Sequence, residues 1–232
     1  MLQTIKIAIY SYPEWGRMPV SLNRQVTGTI LVLSGIKRKI MEDHINEFKS
    51  IWLAPSMILG LSITKLLSDA VTIFRSRHTS KIDYIPVIWA ISIFLWQIQY
   101  LWGVIELSEI QYRWQLIDYI LLIVLSSLLY VSSALILPDS EPESGVYYET
   151  TFMSDGKWAL ASLSCWAVVA YLFDLKIFYN SPLNQYSILM IVNAMTSILA
   201  LITVNRFYKG VFAIIYLLLT VFTAWTISPK SY

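Results

Sequence analysis

Apolar residues in this chain come in long blocks, not in the short alternating or helically periodic pieces of a soluble core. The first block runs from Ile51 to Phe74, IWLAPSMILGLSITKLLSDAVTIF. At about 1.5 Å rise per residue, roughly twenty such residues cross the ~30 Å hydrocarbon layer of a bilayer. Five more blocks follow at Tyr84–Leu107, Gln115–Leu137, Trp158–Tyr179, Leu183–Asn205 and Phe207–Ile227. The pattern predicts an all-α, multi-pass transmembrane helical bundle of six membrane helices. Pro55 and Pro86 fall in first turns, where a missing N–H costs little, and Pro138 and Pro182 mark helix limits.

Composition agrees: 56% of the 232 residues are hydrophobic and 14% are charged, and the mean hydropathy is +0.59. The net charge of +2 gives no argument for nucleic acid as a partner. The single cysteine, Cys165, allows neither an intrachain disulfide nor a cysteine metal cluster. Both histidines, His44 and His78, lie outside the blocks, which argues against an intramembrane haem or zinc site. No Gly-rich phosphate loop, Gly-X-Ser-X-Gly elbow or His-Glu-X-X-His is present, so the expectation is no enzyme, no cofactor and no metal. The tryptophans read mostly as aromatic belts, Trp52, Trp114, Trp158 and Trp225 especially.

Residues 1–50 form a basic N-terminal segment that precedes the six-helix domain, residues 51–232. The segment carries Lys6, Arg17, Arg24, Lys37, Arg38, Lys39 and Lys49 against Glu14, Glu42, Asp43 and Glu47. Two readings of residues 1–40 stand: a basic stretch on the membrane surface, or an upstream translation ahead of a start at Met41. Orientation depends on which holds. With six spans both termini share one side, here side A. Counted from Met1, side A has ten Lys/Arg and side B six; from Met41 the counts become four and six. The positive-inside rule then reverses, and for the chain from Met1 it places the termini in the cytoplasm. The one long connection, Pro138 to Lys157, is acidic.

The candidate intramembrane polar site comprises Lys65, Asp69, Gln99, Glu106, Asp118, Asp174 and Asn193. Lys65 and Asp69 are four residues apart and share a helical face. A charge at the helix centre costs about 2.5–3.5 kcal/mol on the insertion scale, so this pair should face other helices or water. Glu106, Asp118 and Asp174 fall near side A, with Arg113 and Lys176 available to pair with them. Trp96, Gln99, Gly103 and Glu106 recur along one face of the second helix, and Gln97 lies off that face. Asn193 sits at mid-depth on the fifth. The functional reading is a polar vestibule leading to Asp69 as a proton or cation site, with Lys65 compensating its charge. The alternative is that these residues join helices by hydrogen bonds. Gly60, Thr64 and Ser68 form a small-residue ridge expected to make a helix–helix contact.

From about Met41 onward several features recur together: Gly60-Leu-Ser-Ile-Thr-Lys-Leu-Leu67, the basic turn Arg75-Ser-Arg-His78, Pro86-Val-Ile-Trp-Ala90 with Trp96-Gln-Ile-Gln99 and Trp102, Leu137-Pro-Asp139, and Tyr147-Tyr148. This set resembles a family of small bacterial six-helix membrane proteins with no assigned function. The resemblance implies a bacterial cytoplasmic membrane, a family-like start at Met41 and no catalytic residue. The expected role is a small ion- or solute-handling transporter or channel. The alternative is a non-transporting scaffold or sensor subunit that binds a partner. The expected partners are the lipid bilayer and either a second copy or another membrane protein.

Overall fold

The computed structural model describes residues 48, 50–75, 83–110, 114–137, 156–178 and 185–227. Nearly all of the basic segment, Arg113 and residues 138–155 of the acidic connection lie outside them. The chain divides into two units, Met1–Lys49 and Ser50–Tyr232, and the described residues of the second form six helices. These are α1 (Ser50–Arg75), α2 (Tyr84–Ile110), α3 (Leu116–Ile136), α4 (Gly156–Phe178), α5 (Gln185–Ile202) and α6 (Arg206–Ile227). Five of them are long and apolar enough to cross a membrane, so the protein is a multi-pass helical membrane protein.

The exception by length is α5, which has 18 residues where the apolar block predicts a helix from Leu183 to Asn205. The cause is local. Residues 203–205 leave the helix, and Asn205 Oδ1 accepts the Phe207 N–H at 3.0 Å, capping the start of α6. The chain turns there three residues before the apolar run gives out. At about 1.5 Å per residue α5 reaches roughly 27 Å. Two serine contacts fix how it lies against α4: Ser187 donates to Asp174 at 3.1 Å, and the Ser164 and Ser197 hydroxyls lie 2.8 Å apart. The contacts are ten residues apart on both helices, so α4 and α5 run antiparallel in register over about 15 Å.

Helices α2 to α6 close into a ring. Each packs chiefly against two neighbours, in the order α2, α3, α4, α5, α6 and back to α2. Tyr100 donates to the Leu122 carbonyl at 2.9 Å between α2 and α3, and Gln99 to the Thr220 carbonyl at 3.3 Å between α2 and α6. Helix α1 leans on this ring. Its buried positions, Pro55, Leu59, Ser62, Leu66, Asp69 and Ile73, alternate at spacings of four and three, the seam of a helix packed lengthwise. At its midpoint Gln97 donates to Ser62 at 2.7 Å, and Ser62 meets Ser133 at 2.8 Å, tying α1 to α2 and α3.

The outer surface is apolar, as lipid requires: Met57, Leu61, Leu172, Leu218 and Phe222 are all exposed. The belt reading holds for Trp158 and Trp225, 70% and 80% exposed near helix ends. It fails for Trp89, Trp96 and Trp166, which are buried in the core. The expected contact along Gly60, Thr64 and Ser68 is not made among the described residues. All three are exposed, and a Cβ added to Gly60 would meet nothing within 4 Å.

Ion pairs close the bundle at both ends. Lys176 binds Asp118, tying α4 to α3 at side A, while the other Asp118 oxygen accepts the Gln115 N–H at 3.0 Å and caps α3. At side B, Arg206 lies 3.4 Å from Asp83, which also accepts the Ile85 N–H at 3.1 Å at the start of α2. Replacing Lys176 by Met leaves a buried carboxylate without its cation. It is expected to cost about 1.5–3 kcal/mol, against about 0.6–1.7 for Ser62→Ala, which loses interhelical hydrogen bonds between neutral groups. Thermal melts in detergent micelles check the order; a larger loss for Ser62→Ala would contradict it.

Candidate functional site

The structure distributes the candidate residues over several places. Lys65 Nζ lies 2.8 Å from Asp69 Oδ1 on α1, and Asp69 sits in that helix's packing seam. Asp118 and Asp174 lie near side A, each bound to a neighbouring helix through Lys176 and Ser187 respectively. Gln99 reaches α6, and Asn193 donates to its own helix at the Leu189 carbonyl, 2.9 Å away. The Glu106 side chain lies outside the described residues. Asp69 belongs to the side B half of α1, whereas Asp118 and Asp174 belong to side A.

A different set converges. Trp96 of α2 and Trp166 of α4 stack across the ring with centroids 4.9 Å apart, although α2 and α4 are not ring neighbours. Large indoles reach where the helix backbones do not. Trp89, two turns from Trp96 on the same face of α2, packs on Tyr216 of α6 at 4.7 Å. The Tyr216 hydroxyl also lies beside the Trp96 indole, close enough to interact but short of hydrogen-bond geometry. Tyr100 continues the chain to Trp166 at 6.5 Å, and Trp52 of α1 lies 6.5 Å beyond it.

This aromatic centre carries polar atoms with no hydrogen-bond partner among the described residues. They are the indole N–H groups of Trp89, Trp96 and Trp166 and the hydroxyl of Tyr216, on side chains at most 2% exposed. Gln97 Oε1 and Asn193 Oδ1 are likewise buried and unpaired. The depth is shared: Trp96, Gln97, Trp166, Asn193 and Tyr216 each lie within one residue of the midpoint of their own helix.

The buried hydroxyls behave otherwise. Ser92, Ser126, Ser132, Ser164, Thr196, Thr220 and Thr223 all donate to the carbonyl four residues back. A hydroxyl on Cβ reaches that carbonyl; an indole N–H does not. The long side chains are therefore the ones left unpaired, and a polar group buried in hydrocarbon without a bond costs at least about 1–3 kcal/mol.

Reading the sequence missed Trp89, Trp166, Tyr216 and Asp83. Trp89 and Trp96 gave the one usable signal, two tryptophans seven residues apart on one helical face. Among the described residues, no three or more His, Cys, Asp or Glu group closely enough to hold a metal ion. No family model, curated protein or solved structure matches the chain.

Burial of Asp69 in a packing seam predicts strong coupling within its ion pair. A double-mutant cycle of Lys65→Met and Asp69→Asn should give about 0.5–3 kcal/mol. An exposed pair four residues apart on a helix gives only about 0.3–0.5 kcal/mol. Reversible unfolding of the four proteins reads it; coupling at the exposed level would place the pair outside the seam.

Proposed function

We propose that this protein is a small membrane transporter or channel whose solute passes through the centre of the α2–α6 ring. One observation carries the reading: unpaired hydrogen-bonding atoms on three aromatic residues of the ring helices, Trp96, Trp166 and Tyr216, each at the midpoint of its helix. Membrane bundles bury such atoms at a cost, and transporters place solute sites near the bilayer midplane at helix interfaces. Lys65 and Asp69 act in this reading as a structural pair on α1, not as the pathway. The membrane is the bacterial cytoplasmic membrane, following the resemblance of the sequence to small six-helix proteins of that membrane.

A second reading, a scaffold or sensor subunit that binds a partner, is favoured by the exposed Gly60, Thr64 and Ser68 face of α1. Small residues let helix backbones approach closely in lipid, which suits a second copy or another membrane protein.

Proteoliposomes separate the two. Transport predicts that protons, K⁺, Cl⁻ or an uncharged solute crosses protein-loaded vesicles faster than empty ones. The proton arm is read with a pH-sensitive dye, and the uncharged arm by light scattering after an osmotic step. Empty-vesicle rates in every arm would leave the scaffold reading standing.

A further inference from the structure

Three of the unpaired atoms lie at one depth: Trp96 and Trp166 are in ring contact, the Tyr216 hydroxyl lies beside the Trp96 indole, and two of the three atoms are indole N–H groups. An indole offers a donor and no acceptor, so two of the three positions call for an acceptor atom on a guest. The third, the Tyr216 hydroxyl, both donates and accepts. Ring faces are already engaged: Trp89 packs on Tyr216 at 4.7 Å with planes tilted 41°, and Trp96 on Trp166 at 4.9 Å and 57°. A cation held over an aromatic face would have to displace that packing.

Charge at this depth points the same way. On the ring helices, Asp118, Lys157, Asp174, Lys176, Arg206 and Lys209 fall in the first or last two turns. Lys65 and Asp69 belong to α1 and hold each other at 2.8 Å. An ion at the ring's middle would therefore lie among uncharged side chains, at a cost of several kcal/mol.

Resting on the transport reading above, we propose that the ring centre binds a small uncharged solute through an acceptor oxygen, held by the Trp96 and Trp166 indoles and the Tyr216 hydroxyl. Water, alcohols and urea share this chemistry. The edges of the indoles supply donors, and the ring bodies supply a dry wall that excludes ions.

The test uses the full chain in proteoliposomes, with Tyr216→Phe, Trp96→Phe and Trp166→Phe beside the wild type. An impermeant osmolyte reads water through the rate of shrinkage. Glycerol and urea are read through reswelling, and H⁺, K⁺ and Cl⁻ through dyes or electrodes. Uncharged flux is expected, falling about two- to tenfold for each donor removed, the worth of one neutral hydrogen bond. Shrinkage alone assigns the site to water, and reswelling assigns it to an organic solute. Melting of each variant is the control. Tyr216→Phe keeps the ring, so its melting temperature should hold or rise; a marked fall would show that the hydroxyl serves the fold and overturn its role here. Uncharged flux unchanged in all three variants overturns the site. Ion flux without uncharged flux overturns the solute class and leaves transport standing. No flux in any arm overturns both.

Discussion

Hydrocarbon offers a polar group no water to bond with, and that constraint decides where nearly every polar side chain in this bundle goes. Serines and threonines return their hydroxyls to the carbonyl one turn back. The ring's ion pairs, Asp118 with Lys176 and Asp83 with Arg206, sit where helices end and water is near. Gln97 and Ser62 bond across helices and attach α1 to the ring. Each solution satisfies a group at its own depth. What these solutions leave over is the aromatic centre, where the unpaired atoms of Trp96, Trp166 and Tyr216 share the midpoints of their helices.

The ring and the aromatic centre depend on each other. Five helices packed side by side in a closed ring leave a middle that no single backbone fills. Trp96 and Trp166 meet across it, and Tyr216 closes against both Trp89 and Trp96. Phenylalanine would pack a ring there without a polar edge, though with less volume. Tryptophan brings an N–H with it, so one residue choice both packs the centre and arms it with donors.

Length and apolarity made the six helices legible, since a span must cover the hydrocarbon and no soluble element needs to. For Asp118 and Lys176 only the shared end was legible; which of three acids takes which of two cations depends on helix order, which the sequence does not show. Lys65 with Asp69 follows from spacing alone. The centre was not legible, because ring order is a tertiary property and tryptophan serves equally as belt and core. The run Trp96-Gln-Ile-Gln99 shows the limit. Its polarity stood out, yet Gln97, set aside as lying off the polar face, bonds α1, while Gln99 only reaches the edge of α6. Gly60, Thr64 and Ser68 show the same limit in reverse, since a small-residue ridge suits a close contact without saying which helix supplies it.

The most direct test of the central claim is the state of the indole protons themselves. Nitrogen-15 NMR of the indole groups in detergent micelles, assigned by replacing Trp96 and Trp166 with Phe one at a time, reads each N–H separately. If the ring centre holds a guest, these protons resonate downfield, as hydrogen-bonded groups do, and exchange with solvent or shift when glycerol or urea is added. Indole protons that stay upfield, resist exchange and ignore both solutes would mean a dry, closed centre, and would contradict the account.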